Sequence, residues 1–130
     1  MKRASFDEKG FDRHSFAPFL LHDCRATEWQ DVRLSFDDWA LLHGLAGGDA
    51  IDGYYLNGYG VQGLILAVMQ RDGLDTEEGV HGNSEADTCH LHFTELTTAE
   101  RAAAAAVAML ETRDSLREAV VLARELGLED

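Results

Sequence analysis

The segment that most constrains the fold is Val61–Met69. Val61, Leu64, Ile65, Val68 and Met69 recur at helical spacing, while Leu66 and Ala67 add apolar surface on the other side. Such a helix is covered nearly all round. It predicts a central element with Leu64, Ile65 and Val68 sandwiched between a sheet and further helices. The turn chemistry of Asn57-Gly58-Tyr59-Gly60 precedes it, with Gly58 expected in a left-handed or otherwise glycine-favoured conformation and Tyr59 packing the turn onto the helix. Arg71-Asp72-Gly73 is expected to end it.

The neighbouring patterns supply the other layers. Val32–Phe36 alternates apolar and polar, as does Thr88–Leu96, where Cys89, Leu91 and Phe93 share one face and His90, His92 and Thr94 the other. Phe16–Leu21 is dense in aromatic and aliphatic residues and predicts a strand, with Pro18 demoting it to an edge or bulge. Ser35, with a carboxylate three residues on, reads as a cap for a short helix through Trp39, Leu42 and Leu45 that stops at Gly47-Gly48. Thr97–Glu100 reads as a capping box opening a helix over 101–112, whose Ala102–Ala106 run permits close approach to a sheet. A last helix is expected from Asp114-Ser115, with Leu116, Val120, Ala123 and Leu126 inward and Gly127 closing it. Residues 1–14 are polar apart from Phe6 and Phe11 and read as a loose leader to a single domain over 15–130. The class is α+β: a small, mainly antiparallel sheet packed against three to four helices.

Charge bounds the partners. With 11 Lys and Arg against 24 Asp and Glu, the 130-residue chain carries −13. That field repels phosphate backbones, so no nucleic-acid partner is expected, and it favours a basic protein. No stretch of about 18 apolar residues is present, so no membrane partner is expected either. The longest apolar run near the N-terminus, Phe16–Leu21, is too short for a signal-peptide core, and Cys24 and Cys89 read as two reduced thiols. Both features predict a cytoplasmic location.

Three groups of residues are candidates for function. Asp72, Asp75, Glu77, Glu78, Glu85 and Asp87 place six carboxylates and no Lys or Arg within residues 72–87. This stretch is the candidate partner-binding surface, against the simpler reading of a solvated acidic loop. His90 and His92 share a strand face and, with His81 or Glu85, could ligate a divalent metal, although no third and fourth ligand stands at a recognised spacing. Cys89 as a nucleophile lacks both an oriented base and an oxyanion-hole signature. No cofactor and no catalytic residue is expected.

The order of these segments resembles a known family. Leu56-Asn57-Gly58-Tyr59-Gly60-Val61 before the buried helix, and Ser84-Glu85-Ala86-Asp87 running on to Phe93, are similar to the two motifs of the immunity protein 51 family of bacterial polymorphic toxin systems. The likeness spans Phe16 to Leu126; Leu56 stands where the family has Gly and Val61 where it has Trp. The resemblance implies a non-catalytic protein that binds and neutralises a cognate toxin, with Asn57, Gly58, Tyr59 and Glu85 as motif residues that serve either the fold or the contact. Two other readings stay open: a small metal-dependent enzyme using His81, His90 and His92, and an adaptor whose function is self-assembly, for instance as a homodimer.

Overall fold

The structure, a computed structural model, describes residues 2–129. The chain is α+β. Strands β1 (Phe11–Asp12), β2 (Leu20–Cys24), β3 (Asp31–Phe36), β6 (Val80–Gly82) and β7 (Cys89–Phe93) form one antiparallel sheet in the order β1-β2-β3-β7-β6. A two-stranded hairpin, β4 (Ala50–Ile51) with β5 (Tyr54–Tyr55), connects helix α1 (Trp39–Ala46) to α2 (Gly58–Arg71). Helices α3 (Leu96–Met109) and α4 (Arg113–Glu125) complete the chain. Among the described residues, no helix is long and apolar enough to cross a membrane.

Alternation places the layers. Val32, Leu34 and Phe36 pair in register with Phe93, Leu91 and Cys89, and all six are buried on one face of the sheet. Helices α2 and α3 pack on that face, and α4 packs on both helices. Leu64, Ile65 and Val68 have no solvent exposure, as the helical stripe requires of a central helix. The buried alanines of α3, Ala99, Ala102, Ala103, Ala105 and Ala106, have no side chain beyond Cβ, so the helix lies close to sheet and helix alike.

Several local expectations are corrected by contacts from distant parts of the chain. Of the leader expected over 1–14, the described residues 2–14 are not loose: Phe11 and Asp12 pair with His22 and Leu21. The Asp12 carboxylate is buried and accepts the backbone N–H groups of Ser5, His14 and Ser15 at 2.8–3.0 Å. Burial opposes its charge, but these donors and the Ser15 hydroxyl prevail and hold its pKa at about 2. The strand expected at Phe16–Leu21 begins only at Leu20, because Phe16–Phe19 forms turns, with the Phe19 N–H bonded to the Phe16 carbonyl.

The helix caps shift as well. Ser35 stays in β3, and Asp38 caps α1, its side chain accepting from Leu41 N–H. The capping box expected at Thr97–Glu100 does not form. Glu100 is buried and its carboxylate accepts the Ala4 N–H at 2.6 Å, with Arg3 3.7 Å away. Helix α3 therefore starts one residue before Thr97, at Leu96, without a side-chain cap. Helix α4 opens earlier than Asp114, through a reciprocal Thr112–Ser115 box. Leu126 lies outside it and is exposed, while Gly127 takes φ +71° and Leu128 turns back to donate to the Ala123 carbonyl.

Candidate partner-binding surface

The Asn57 turn and the Glu85–Thr88 segment, 28 residues apart, meet at the start of α2. Asn57 is the N-cap, in extended conformation, and its side chain accepts the Gly60 N–H at 2.9 Å. Gly58 is the first residue of α2 and donates its N–H to the Ala86 carbonyl at 2.9 Å. Contrary to the sequence expectation, Gly58 has no positive φ. Glycine is required for a different reason: a Cβ here would collide with the backbone carbonyls of Glu85 and Thr88. Nor does Tyr59 pack the turn, since it is exposed. Tyr54 does so, buried and donating its hydroxyl to the Gly60 carbonyl at 2.6 Å.

A groove of about 380 Å³ opens beside this junction, between α1, β5 and residues 86–87. Trp39 forms one wall and crosses to the far side by donating its indole N–H to the Asp87 carbonyl at 2.8 Å. The His43 ring lies against Trp39, ring centres 5.9 Å apart, and a His43 nitrogen sits 3.0 Å from the Leu56 carbonyl oxygen. Tyr55, next to the buried Tyr54 and so pointing the other way along the strand, is 69% exposed. Asp49 and Asp87, both exposed residues, also line the groove. Among the described residues, no Lys or Arg lines it.

The six acidic candidates do not form one surface. Helix α2 has 14 residues and is therefore about 21 Å long. Asp72 caps its C-terminal end, whereas Glu85 and Asp87 lie by its N-terminal end. Asp72 is also compensated: Arg71 bonds its carboxylate at 3.0 Å, and the Arg101 guanidinium lies 3.5 Å from its carbonyl. Asp75 shapes its own turn, accepting the N–H groups of Glu77 and Glu78, which hold its carboxyl below the usual range. Glu77 and Glu78 are exposed. Residues 80–82, expected as loop, add the edge strand β6. The structure thus brings Glu85 and Asp87 together with Asn57, Gly58 and Tyr59, and leaves Asp72, Asp75, Glu77 and Glu78 apart from them.

The histidines lie on the outer face of the sheet. His81 and His92 are directly opposite across β6 and β7, with ring centres 6.2 Å apart, and His92 Nδ1 is 3.7 Å from Asp31. His90 faces Ser35 instead. Among the described residues, no group of three or more His, Cys, Asp or Glu side chains is placed to hold a metal ion. Arg33 stands opposite His92 and is bonded to Asp31 at 3.0 Å. Burial, then the Arg33 charge, lowers the His92 pKa. A fixed guanidinium at that point opposes a second cation.

The thiols are equally unsuited to chemistry. Cys89 faces the core, and burial pushes its pKa up to about 12. Cys24 is buried with its sulfur 3.3 Å from His22 Nδ1, a pair announced by the His-x-Cys spacing on one strand face. Burial raises that thiol too, so neither cysteine is held as a thiolate. Both are free of disulfide bonding.

Trp39, His43, Asp49 and Tyr55 were not among the candidates read from the sequence. Trp39 and His43 carried a signal, the four-residue spacing that puts two rings on one helix face. Asp49 carried none, since its place at the groove depends on how the hairpin folds back. No family model, no curated protein and no solved structure matches the chain.

Proposed function

We propose that this chain is a non-catalytic binding protein that neutralises a basic protein partner, in the manner of an immunity protein blocking its cognate toxin. The reading rests on one observation: the two segments that resemble the immunity protein 51 motifs meet, and beside their junction lies a groove lined by the exposed Tyr55 and the exposed acidic residues Asp49 and Asp87. Aromatic side chains supply much of the binding energy of protein interfaces, and a net charge of −13 steers a basic partner toward them. Glu85 and Asp87 belong to that surface. Asn57 and Gly58 serve it indirectly, because the cap and the close backbone approach hold the junction together.

The test is growth. A toxin domain encoded beside this gene is expressed in a bacterial host, alone and with this chain. Survival only when this chain is present, together with a stable one-to-one complex of the purified proteins, supports neutralisation. Equal killing in both cultures overturns it.

A further inference from the structure

The chain satisfies its own arginines in a repeated way. Arg33 lies over the Trp29 ring, 4.5 Å from its centre, and bonds Asp31 at 3.0 Å. Arg124 lies 5.8 Å from the Tyr54 ring centre and bonds Glu129 at 3.0 Å. Each site combines an aromatic face with a carboxylate. A guanidinium suits such a site because it is flat enough to stack and carries a fork of N–H donors for the carboxylate.

The groove beside Trp39 offers the same combination without a cation. Its lining residues include the aromatic Trp39 and Tyr55 and the exposed acidic Asp49 and Asp87, and among the described residues no Lys or Arg lines it. The geometry points to this groove as the seat of an arginine side chain from a basic protein partner. The inference rests on the proposed capture of such a partner and adds the residue that the partner inserts. A second copy of this chain is a poor occupant, because it brings another −13 to an acidic site. The larger groove beside α4, about 540 Å³, offers no single sign of charge: Arg71 and Arg117 face Asp114, Glu118 and Glu125 there.

The experiment uses the whole chain and N-acetyl-arginine methylamide as the probe. The protein has two tryptophans, so its two indole N–H resonances can be followed by NMR. The Trp39 indole bonds Asp87 at the groove, and Trp29, on the outer face of the sheet beneath Arg33, serves as an internal control. The expected result is a saturable shift of the Trp39 resonance with little movement of Trp29. The citrulline derivative, of the same shape but uncharged, leaves both in place. The exposed double substitution Asp49→Asn with Asp87→Asn weakens arginine binding about fivefold or more, and Tyr55→Ala weakens it independently. An unmoved Trp39, an equal response to citrulline, equal movement of Trp29, or unchanged affinity in both variants overturns the inference. Growth rescue with a failed titration retires the arginine seat and leaves neutralisation standing. A successful titration without rescue retires neutralisation and leaves the seat.

Discussion

The backbone N–H of Gly58 and the carbonyl of Ala86 are joined at 2.9 Å. This bond ties the first residue of the central helix to the segment that leads into β7. A helix start has N–H groups without intrahelical partners, and here a strand approach satisfies one of them. The approach is so close that the carbonyls of Glu85 and Thr88 occupy the space a Cβ would need.

Gly58→Ala is therefore expected to destabilise the protein by about 3 kcal/mol or more, since backbone rather than a flexible side chain must move. Gly47→Ala is the comparison. Gly47 has φ +83° but no atom near its missing Cβ, and about 1 kcal/mol is expected there. Urea titration of both variants checks the order. Equal losses would show that the junction yields.

Leu64 has no exposure and lies on α2, which packs against the sheet, α3 and α4. Leu64→Ala is expected to cost about 2–5 kcal/mol, the range for a buried leucine whose cavity does not collapse. A loss below about 1 kcal/mol by urea titration would place this helix at the periphery.

Asp12 ties stability to acid. Its folded pKa of about 2 lies below the ordinary 3.8, so its ionised form favours the fold. The contribution, about 2 kcal/mol, is present above pH 3.8 and disappears as pH falls toward 2. Asp12→Asn is expected to be less stable than the parent at pH 6, with the gap closing through that window. A gap independent of pH would remove the carboxylate's charge from the account.

Glu100 anchors the N-terminal segment to α3 through the Ala4 N–H. Glu100→Ala is expected to speed amide hydrogen exchange at Ala4 at least tenfold, while amides in β3 and β7 exchange as before. Unchanged exchange at Ala4 would show that β1 alone holds the segment.

The division of the acidic stretch makes a prediction about binding. Neutralising Glu77 and Glu78 is expected to slow association with a basic partner modestly and to leave dissociation unchanged, because exposed charges steer over a screening length of about 8 Å. Neutralising Asp49 and Asp87 is expected to speed dissociation as well. Stopped-flow kinetics at two salt concentrations separate the two. An effect of the first pair on dissociation would place the contact at the far end of α2.

Much of the candidate site was legible only in pieces. The acidic run and the turn at Asn57-Gly58 were read along the chain; the Asn57 cap and the Trp39–His43 spacing were not, although caps and helix faces are set by residues within one turn of one another. What Asn57-Gly58 meets cannot be read that way. Its partner, Glu85–Thr88, lies beyond α2 and β6, and no periodicity connects them. The expected left-handed Gly58 was incorrect for this reason: a glycine before a helix looks like a turn residue locally, yet here it answers a distant backbone.

Which face of each element is buried follows from the order of residues along the chain. Val32, Leu34 and Phe36, Cys89, Leu91 and Phe93, and the stripe from Val61 to Met69 all lie inward as their spacing requires, because alternation and helical period are properties of neighbouring residues. What those elements bring together follows from how they pack. It drew Glu100 to Ala4 across 96 residues, put Asp72 and Asp87 at opposite ends of α2, and opened the groove between Trp39 and Tyr55. Those outcomes depend on volume exclusion and hydrogen bonds between segments far apart in the chain, and such contacts leave no periodic mark on the residues that make them.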